Sequence, residues 1–456
     1  MTNPRQPHQP RQLSLNAFLH DTGHHEASWR HPESSAERAH DIEFYVEQAQ
    51  KAEAAKLDGV FFADIPGLWA ATPYRPTAHL EPITRLSAMA ARTEKIGLIA
   101  TASTTFHEPY NLARLFSSLD IISGGRAGWN IVTTQSEAVA RNFSLATMPD
   151  PAERYARAQE FIDVVTKLWD SWEDDAVLAD RDSGRYFDPD KVHAINHVGR
   201  FFQVEGALAA PRSPQGRPVY VQAGSSNEGR AFAARNAEAI FTAHQTLGDA
   251  QAFYDDIKSR AARFGRDPGH VKILPGISPF LGDTEQEAKE LQQYFNELTV
   301  PAYGIGQLES LAGISLGHLE LDERVPVELF AGSGDVLDNN RSRLQVVANI
   351  VERDRPTLRQ LLHRLAGGRG HNVVAGTPLQ VADIITEWFE NGAADGFNVM
   401  PPLYPQLLDA FTAGVVPILQ ERGLFRTEYA GSTLRDHYGL PRPDSLYAAT
   451  AAATTA

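Results

Sequence analysis

The residues best suited to move protons or hold anions recur in one place, directly after short apolar runs. His20, Asp21, His24, His25 and His31 follow Leu13–Leu19. Asp64 ends the run GVFFAD (59–64). Ser103, Thr104 and nearby His107 follow IGLIATAS (96–103), and Asn130 and Thr133 lie in RAGWNIVT (126–133). Gly224-Ser225-Ser226 ends PVYVQAG (218–224), His244 ends AEAIFTAH (237–244), and His371 precedes the last such run, GFNVM (396–400). Histidine exchanges a proton near neutral pH, so His25, His107 and His371 are candidate acid–base groups. A serine pair opening a helix offers hydroxyls and free backbone N–H groups, an arrangement that suits a phosphate. Each feature also has a purely structural use. Asp64 can cap a helix, and Ser225 with Glu228 three residues later reads as a capping box.

Several chemistries are excluded by residue type. The chain has no cysteine, hence no disulfide, thiolate zinc site, iron–sulfur cluster or thiol nucleophile. His107-Glu108 starts like H-E-x-x-H, but Asn111 stands where the second histidine belongs. The run at 396–400 ends Asn398-Val399-Met400 without a carboxylate, so no metal is assigned, and a metal-dependent barrel hydrolase stays an alternative that the histidines after the first run alone do not support. Gly304-x-Gly306 is the nearest approach to a dinucleotide fingerprint, and Glu309 occupies its third glycine position.

The 456 residues are 42% hydrophobic, enough for a large core. A net charge of -15 without a basic block suits neither nucleic acid nor an anionic membrane surface. No apolar stretch reaches the roughly 18 residues of a membrane span, and residues 1–12 lack the apolar region of a signal peptide. A soluble, cytoplasmic protein is expected, with flexible ends at 1–12 and 441–456.

These residues need a frame that gathers them. Eight short apolar runs, most separated by helical patterns, require a parallel sheet covered on both faces. Helices are expected behind a Ser34–Glu37 capping box, over about 82–94, from about Pro109, over about 152–169, from Ser226, over about 249–264, and behind caps at Thr284 and Thr377. Eight such units predict an α/β fold, a single TIM-like (β/α)8 barrel, with an open doubly wound sheet as the alternative. The excess length sits in insertions at about 172–217 and 297–370, the second containing a strongly helical pattern over 341–365.

Together, GHHEASWRHP (23–32), GVFFAD, TASTTFHEPYNLARLFSSLDIISGGRAGWNIVT (101–133), ERYARAQEF (153–161), VYVQAGSSNEGRAFAARNAEAIF (219–241), GTPLQVADIITEWFENGAADGFNVMP (376–401) and RGLFRTEYAGSTLRDHYGL (422–440) resemble one family. It is the bacterial-luciferase-like flavin monooxygenases, in the group of nitrilotriacetate, dibenzothiophene-sulfone and long-chain-alkane monooxygenases. The resemblance covers nearly the whole chain. It implies a barrel that takes reduced FMN from a separate NAD(P)H:flavin reductase. With O2 it would oxygenate a small sulfur-, nitrogen- or halogen-bearing substrate through a flavin peroxide. A homodimer or homotetramer is also implied.

Carried over position by position, the resemblance places Asp64, Ser103 or Thr104, and Asn130 near the flavin ring. It places Tyr155, Ser225 and Ser226 at the phosphate. His25, His107 and His371 fall where relatives set polar groups around the reacting centre, and Phe18, Trp69 and Phe106 could wall the pocket. Pro151 stands where relatives often carry a flavin-contacting histidine, so Arg154 or Arg157 would have to compensate. That departure motivates a second reading, a flavin-binding protein without turnover; a deazaflavin-dependent barrel is a further alternative. Few basic residues fall near the expected mouth, which favours a neutral substrate.

Overall fold

The computed structural model describes residues 11–68, 73–134, 136–224, 226–330 and 338–447. Eight parallel strands close into a barrel. They are β1 (Ser14–Phe18), β2 (Gly59–Phe62), β3 (Gly97–Ser103), β4 (Ala127–Val132), β5 (Val219–Gln222), β6 (Ala239–Thr242), β7 (Lys272–Leu281) and β8 (Gly396–Val399). Each pairs with its neighbours in chain order, and β8 returns to β1 with Ser14 opposite Gly396. All eight expected runs are barrel strands.

Alternation along each strand sorts the side chains. Leu98, Ala100, Trp129 and Ile131 face outward under the helices, in the main core. Phe18, Phe61, Ile99, Val219, Val221 and Leu274 face inward and fill the barrel. Ser103 and Asn130 therefore share the inward face at the carboxyl end. The other end is sealed by the helix Leu434–Tyr438, whose Leu434 and Tyr438 join the inner core and whose Tyr438 hydroxyl donates to Asn16 Oδ1 at 2.8 Å.

Helix starts follow capping chemistry. Thr284 and Thr377 each make a reciprocal capping box with Glu287 and Gln380, as expected. Two expected caps are corrected. The helix expected behind Ser34 begins at Ile42, with Asp41 accepting from Glu43 N–H; residues 36–38 form one 3-10 turn. Helix formation waits for the apolar face that starts at Phe44 and Tyr45. The helix Asn227–Asn236 is capped by Ser226, which accepts from Gly229 N–H at 3.0 Å, in place of the box read from Ser225.

The segment 172–217 carries two small antiparallel hairpins, Val177–Asp180 with Arg185–Phe187 and His197–Val198 with Gln203–Val204. Residues 441–447 run against it: Arg442 pairs with Asp174, and Tyr447 stacks on His193. The segment 297–370 builds its own core from Leu308, Val347, Ile350, Leu358 and Leu361. Its helical pattern is two helices, Asp338–Asp354 and Leu358–Gly368, divided where Arg355 has a positive φ before Pro356. Gly304 and Gly306 lie inside the helix Pro301–Ala312. The chain re-enters the sheet through a strand absent from the sequence reading, Asn372–Gly376, which pairs in parallel with Ile277–Leu281, the far half of the ten-residue β7. No helix among the described residues is long and apolar enough to cross a membrane.

Candidate active site at the carboxyl ends of the strands

The loops after β3 and β4 form one hydrogen-bonded unit. Thr104 N–H donates to Val132 O at 2.9 Å, and Thr105 Oγ1 donates to Thr133 O at 3.0 Å. Ser103 Oγ accepts from Thr105 N–H at 3.2 Å. His107 Nδ1 lies 3.0 Å from Ser103 O. A carbonyl can only accept, so the ring carries its proton on Nδ1 and leaves Nε2 as a base. Asn130 Nδ2 donates to Thr101 Oγ1 at 2.8 Å, while its Oδ1 is buried without a partner. An unpaired amide oxygen on the inward face is costly unless a ligand N–H meets it.

A second unit joins the helix Pro151–Trp169 to the β5 turn. The hydroxyls of Ser226 and Thr133 are within hydrogen-bonding reach of Tyr155, whose pKa is raised because burial outweighs them. All three hydroxyls meet at the N-terminus of the helix Asn227–Asn236, whose free N–H groups favour an anion. Glycine keeps this cradle open. A Cβ at Gly229 would come 3.0 Å from the Tyr155 hydroxyl and 3.2 Å from Ser226 Oγ. One at Gly224 would come 2.4 Å from Gln222 Nε2. Gln222 Oε1 is another buried acceptor without a partner, and it was missed because its position reads simply as the end of a strand. Ser225 and Trp69 lie outside the described residues.

The two arginines proposed to offset Pro151 differ. Arg157 donates to Thr104 O and to His107 O and lies over Phe202, so it braces the β3 loop. Arg154 is buried with its Nε unpaired, and burial lowers its pKa. Phe106 stacks on Phe143 beside a cavity of about 270 Å³ lined also by Thr105, Leu145 and Arg157.

The three candidate histidines do not form one cluster. His107 belongs to the β3 loop. His371 stacks on Phe241, next to β7, where a Cβ at Gly276 would strike its ring. His25 packs among Phe280 and Phe295, and burial pushes its pKa down to about 3. Phe18 packs on Phe61, Phe241 and His24, forming the floor beneath the mouth. Asp64 is half-buried after β2, with its pKa raised by burial and by Glu81. Around it stands a polar group that sequence reasoning largely missed. Asp21 Oδ1 accepts from the Tyr45 hydroxyl at 3.0 Å, and Asp21 Oδ2 lies 2.8 Å from His79 Nδ1. Arg85 covers the Phe62 ring at 3.6 Å. Arg75, His79 and Arg85 come from the long connection and helix after β2, so spacing from the strand end gave no signal. Among the described residues no three His, Asp or Glu side chains are gathered as a metal site.

Residues 21–395 match the model of the luciferase-like monooxygenase family. The chain is 46% identical to N-acetyl-S-(2-succino)cysteine monooxygenase of Bacillus subtilis (strain 168), over 96% of this chain and 99% of that one. It is also 46% identical to nitrilotriacetate monooxygenase component A of Aminobacter aminovorans, over 96% and 98%. The solved structure of a riboflavin lyase with modified FMN and riboflavin superposes with a TM-score of 0.84 at 31% identity, covering 96% of this chain and 98% of that one. The chain therefore belongs to the luciferase-like monooxygenase family, and is an enzyme of its flavin-dependent monooxygenase class.

Proposed function

We propose that the protein is the oxygenase component of a two-component system. It would bind reduced FMN delivered by a separate NAD(P)H:flavin reductase, and act as a homo-oligomer. The observation that carries the reading is the cradle of Tyr155, Ser226 and Thr133 at a helix N-terminus, held open by Gly229. The buried, unpaired oxygen of Asn130 on the inward face supports it. The donor set fits a flavin mononucleotide: hydroxyls and N–H groups for the phosphate, an amide acceptor for a ring N–H.

Reduced FMN bound there supplies the activation of O2 and the transfer of one oxygen atom to a small organic substrate. The chain's own tasks are separate. Tyr155 and Ser226 fix the phosphate, and Asn130, Ser103 and Asp64 orient the ring. The Phe18–Phe61–Phe241 floor closes the barrel beneath, which limits water at the reacting centre. His107, with Nε2 available, and His371 on the facing side are the groups that take or return a proton at the substrate. His25, held neutral by its apolar neighbours, positions the segment that carries it.

The test combines binding with turnover. Quenching of FMN fluorescence by the protein should saturate, and should weaken in Tyr155→Phe. Oxygen-dependent product should form from a panel of thioethers, amines and halogenated aromatics, with NADH and a generic flavin reductase. Saturable quenching without product across that panel would favour a flavin-binding protein without turnover.

A further inference from the structure

We infer that the cavity beside the β3 loop is a binding site for a neutral aromatic compound that carries an acceptor oxygen. The cavity is separate from the phosphate cradle, since Tyr155, Thr133 and Ser226 are not among its lining residues. Binding there does not depend on bound flavin.

The apolar walls set the shape of the ligand. The cavity holds about 270 Å³, and Phe106, Phe143, Leu145 and Pro149 supply its apolar surface. A cavity of about 150 Å³ already takes a benzene ring, so this one has room for a ring with a substituent. Phe106 and Phe143 stack with centroids 4.6 Å apart and planes 17° from parallel. Phe143 nevertheless stays 38% exposed, an aromatic surface that folding leaves uncovered. A stacked pair in a cavity wall is a platform on which a third ring gains offset or edge contacts.

The polar end sets the chemistry. Arg157 lines the same cavity. Two of its five N–H groups are spent on Thr104 O and His107 O, and its guanidinium lies over the Phe202 ring at 4.6 Å. The Thr105 hydroxyl, also in the lining, donates to Thr133 O. Arg157 is therefore the donor that can meet a ligand oxygen. Its charge is already countered. Glu108 Oε1 lies 3.9 Å from Arg157 Nη2 at the cavity wall, and Glu160 is a second carboxylate close enough to act on it. A directed donor with a balanced charge favours a neutral sulfone, carbonyl or ether oxygen over an anion, which the two carboxylates repel. Because Arg157 also braces Thr104 and His107, a ligand here is one side chain away from the β3 loop of the candidate active site.

The test is a ligand-detected NMR titration of the full chain with methyl phenyl sulfone. Benzenesulfonate, toluene and dimethyl sulfone each remove one feature of that probe: neutrality, the acceptor oxygen and the ring. The sulfone should bind at least about tenfold more tightly than any of the three. Leu145→Trp fills the cavity and should weaken it at least about tenfold. Phe143→Ala removes half of the stacked platform and should weaken it about threefold or more. Both positions lie on a surface loop, and thermal midpoints near that of the wild type check the fold. Saturating FMN should leave the sulfone affinity unchanged, as should Tyr155→Phe, which weakens FMN alone. Absence of sulfone binding, equal binding of benzenesulfonate, toluene or dimethyl sulfone, or full affinity in Leu145→Trp would each overturn the proposal. Displacement of the sulfone by FMN would place the ligand in the cofactor's seat and overturn it as well.

Discussion

His371 lies flat on Phe241, with ring centroids 4.8 Å apart and planes within 7° of parallel. The stack contributes to fixing the orientation of the imidazole. A phenylalanine at this position keeps the packing and removes the nitrogens. If the ring acts in proton transfer, His371→Phe should lower kcat by about a hundredfold, with FMN affinity unchanged. Steady-state kinetics beside a flavin titration checks this; near-normal turnover would remove His371 from the chemistry.

Gly229 separates cofactor affinity from folding. Alanine there favours the helix by up to about 1 kcal/mol, yet its methyl group would intrude between Tyr155 and Ser226. Gly229→Ala should therefore keep or raise the thermal midpoint while weakening FMN by about tenfold or more. Unchanged FMN affinity would show that the phosphate sits elsewhere.

The amino end of the barrel depends on one buried arginine. Arg126 donates to Ser123 O, Thr93 Oγ1, Ile96 O, Ala90 O and Thr93 O, all within 3.0 Å. Arg126→Met fills the volume and abandons these acceptors, at a cost of about 3 kcal/mol or more. Urea denaturation measures it, and a loss below about 1 kcal/mol would mean that water replaces the guanidinium.

Acid should destabilise the fold. Burial lowers His24, His244 and His437 to about 4 and His25 to about 3. Below about 6.5 the unfolded chain binds protons that these folded residues refuse, so stability present above that pH is lost as pH falls towards 4. Glu26 at about 7 and Asp120 at about 6, raised by burial, act in the opposite sense in part of this window. With His20, His31 and His363 also lowered and Asp58 and Asp64 also raised, seven histidines against four carboxyls set the net direction among the described residues. The urea midpoint should fall between about pH 7 and about pH 4.5; a rise would mean that the raised carboxyls dominate.

The barrel was legible because its strands are buried on both faces and read as unbroken apolar runs, as in Gly97–Ser103. Asn372–Gly376 was not legible, since its hydrogen-bonding partner is the far half of β7 and no local pattern reports such pairing. In the candidate site, Tyr155 and Ser226 were singled out through family motifs, and their approach to each other is visible only in three dimensions. Arg75 escaped notice for the opposite reason. Nothing in its local sequence sets it apart, and its hydrogen bond to His20, 55 positions away, exists only in the folded chain. The Ser34 box misled because a good capping pattern does not make a helix until an apolar face follows it.

The insertion around Tyr303 has a private hydrophobic centre and rejoins the sheet through a strand zipped onto β7, outside the closed ring. Barrel closure does not run through it, because β8 completes the ring by pairing with β1 and β7. Such a layout lets the insertion diverge in length and sequence while the ring keeps its register.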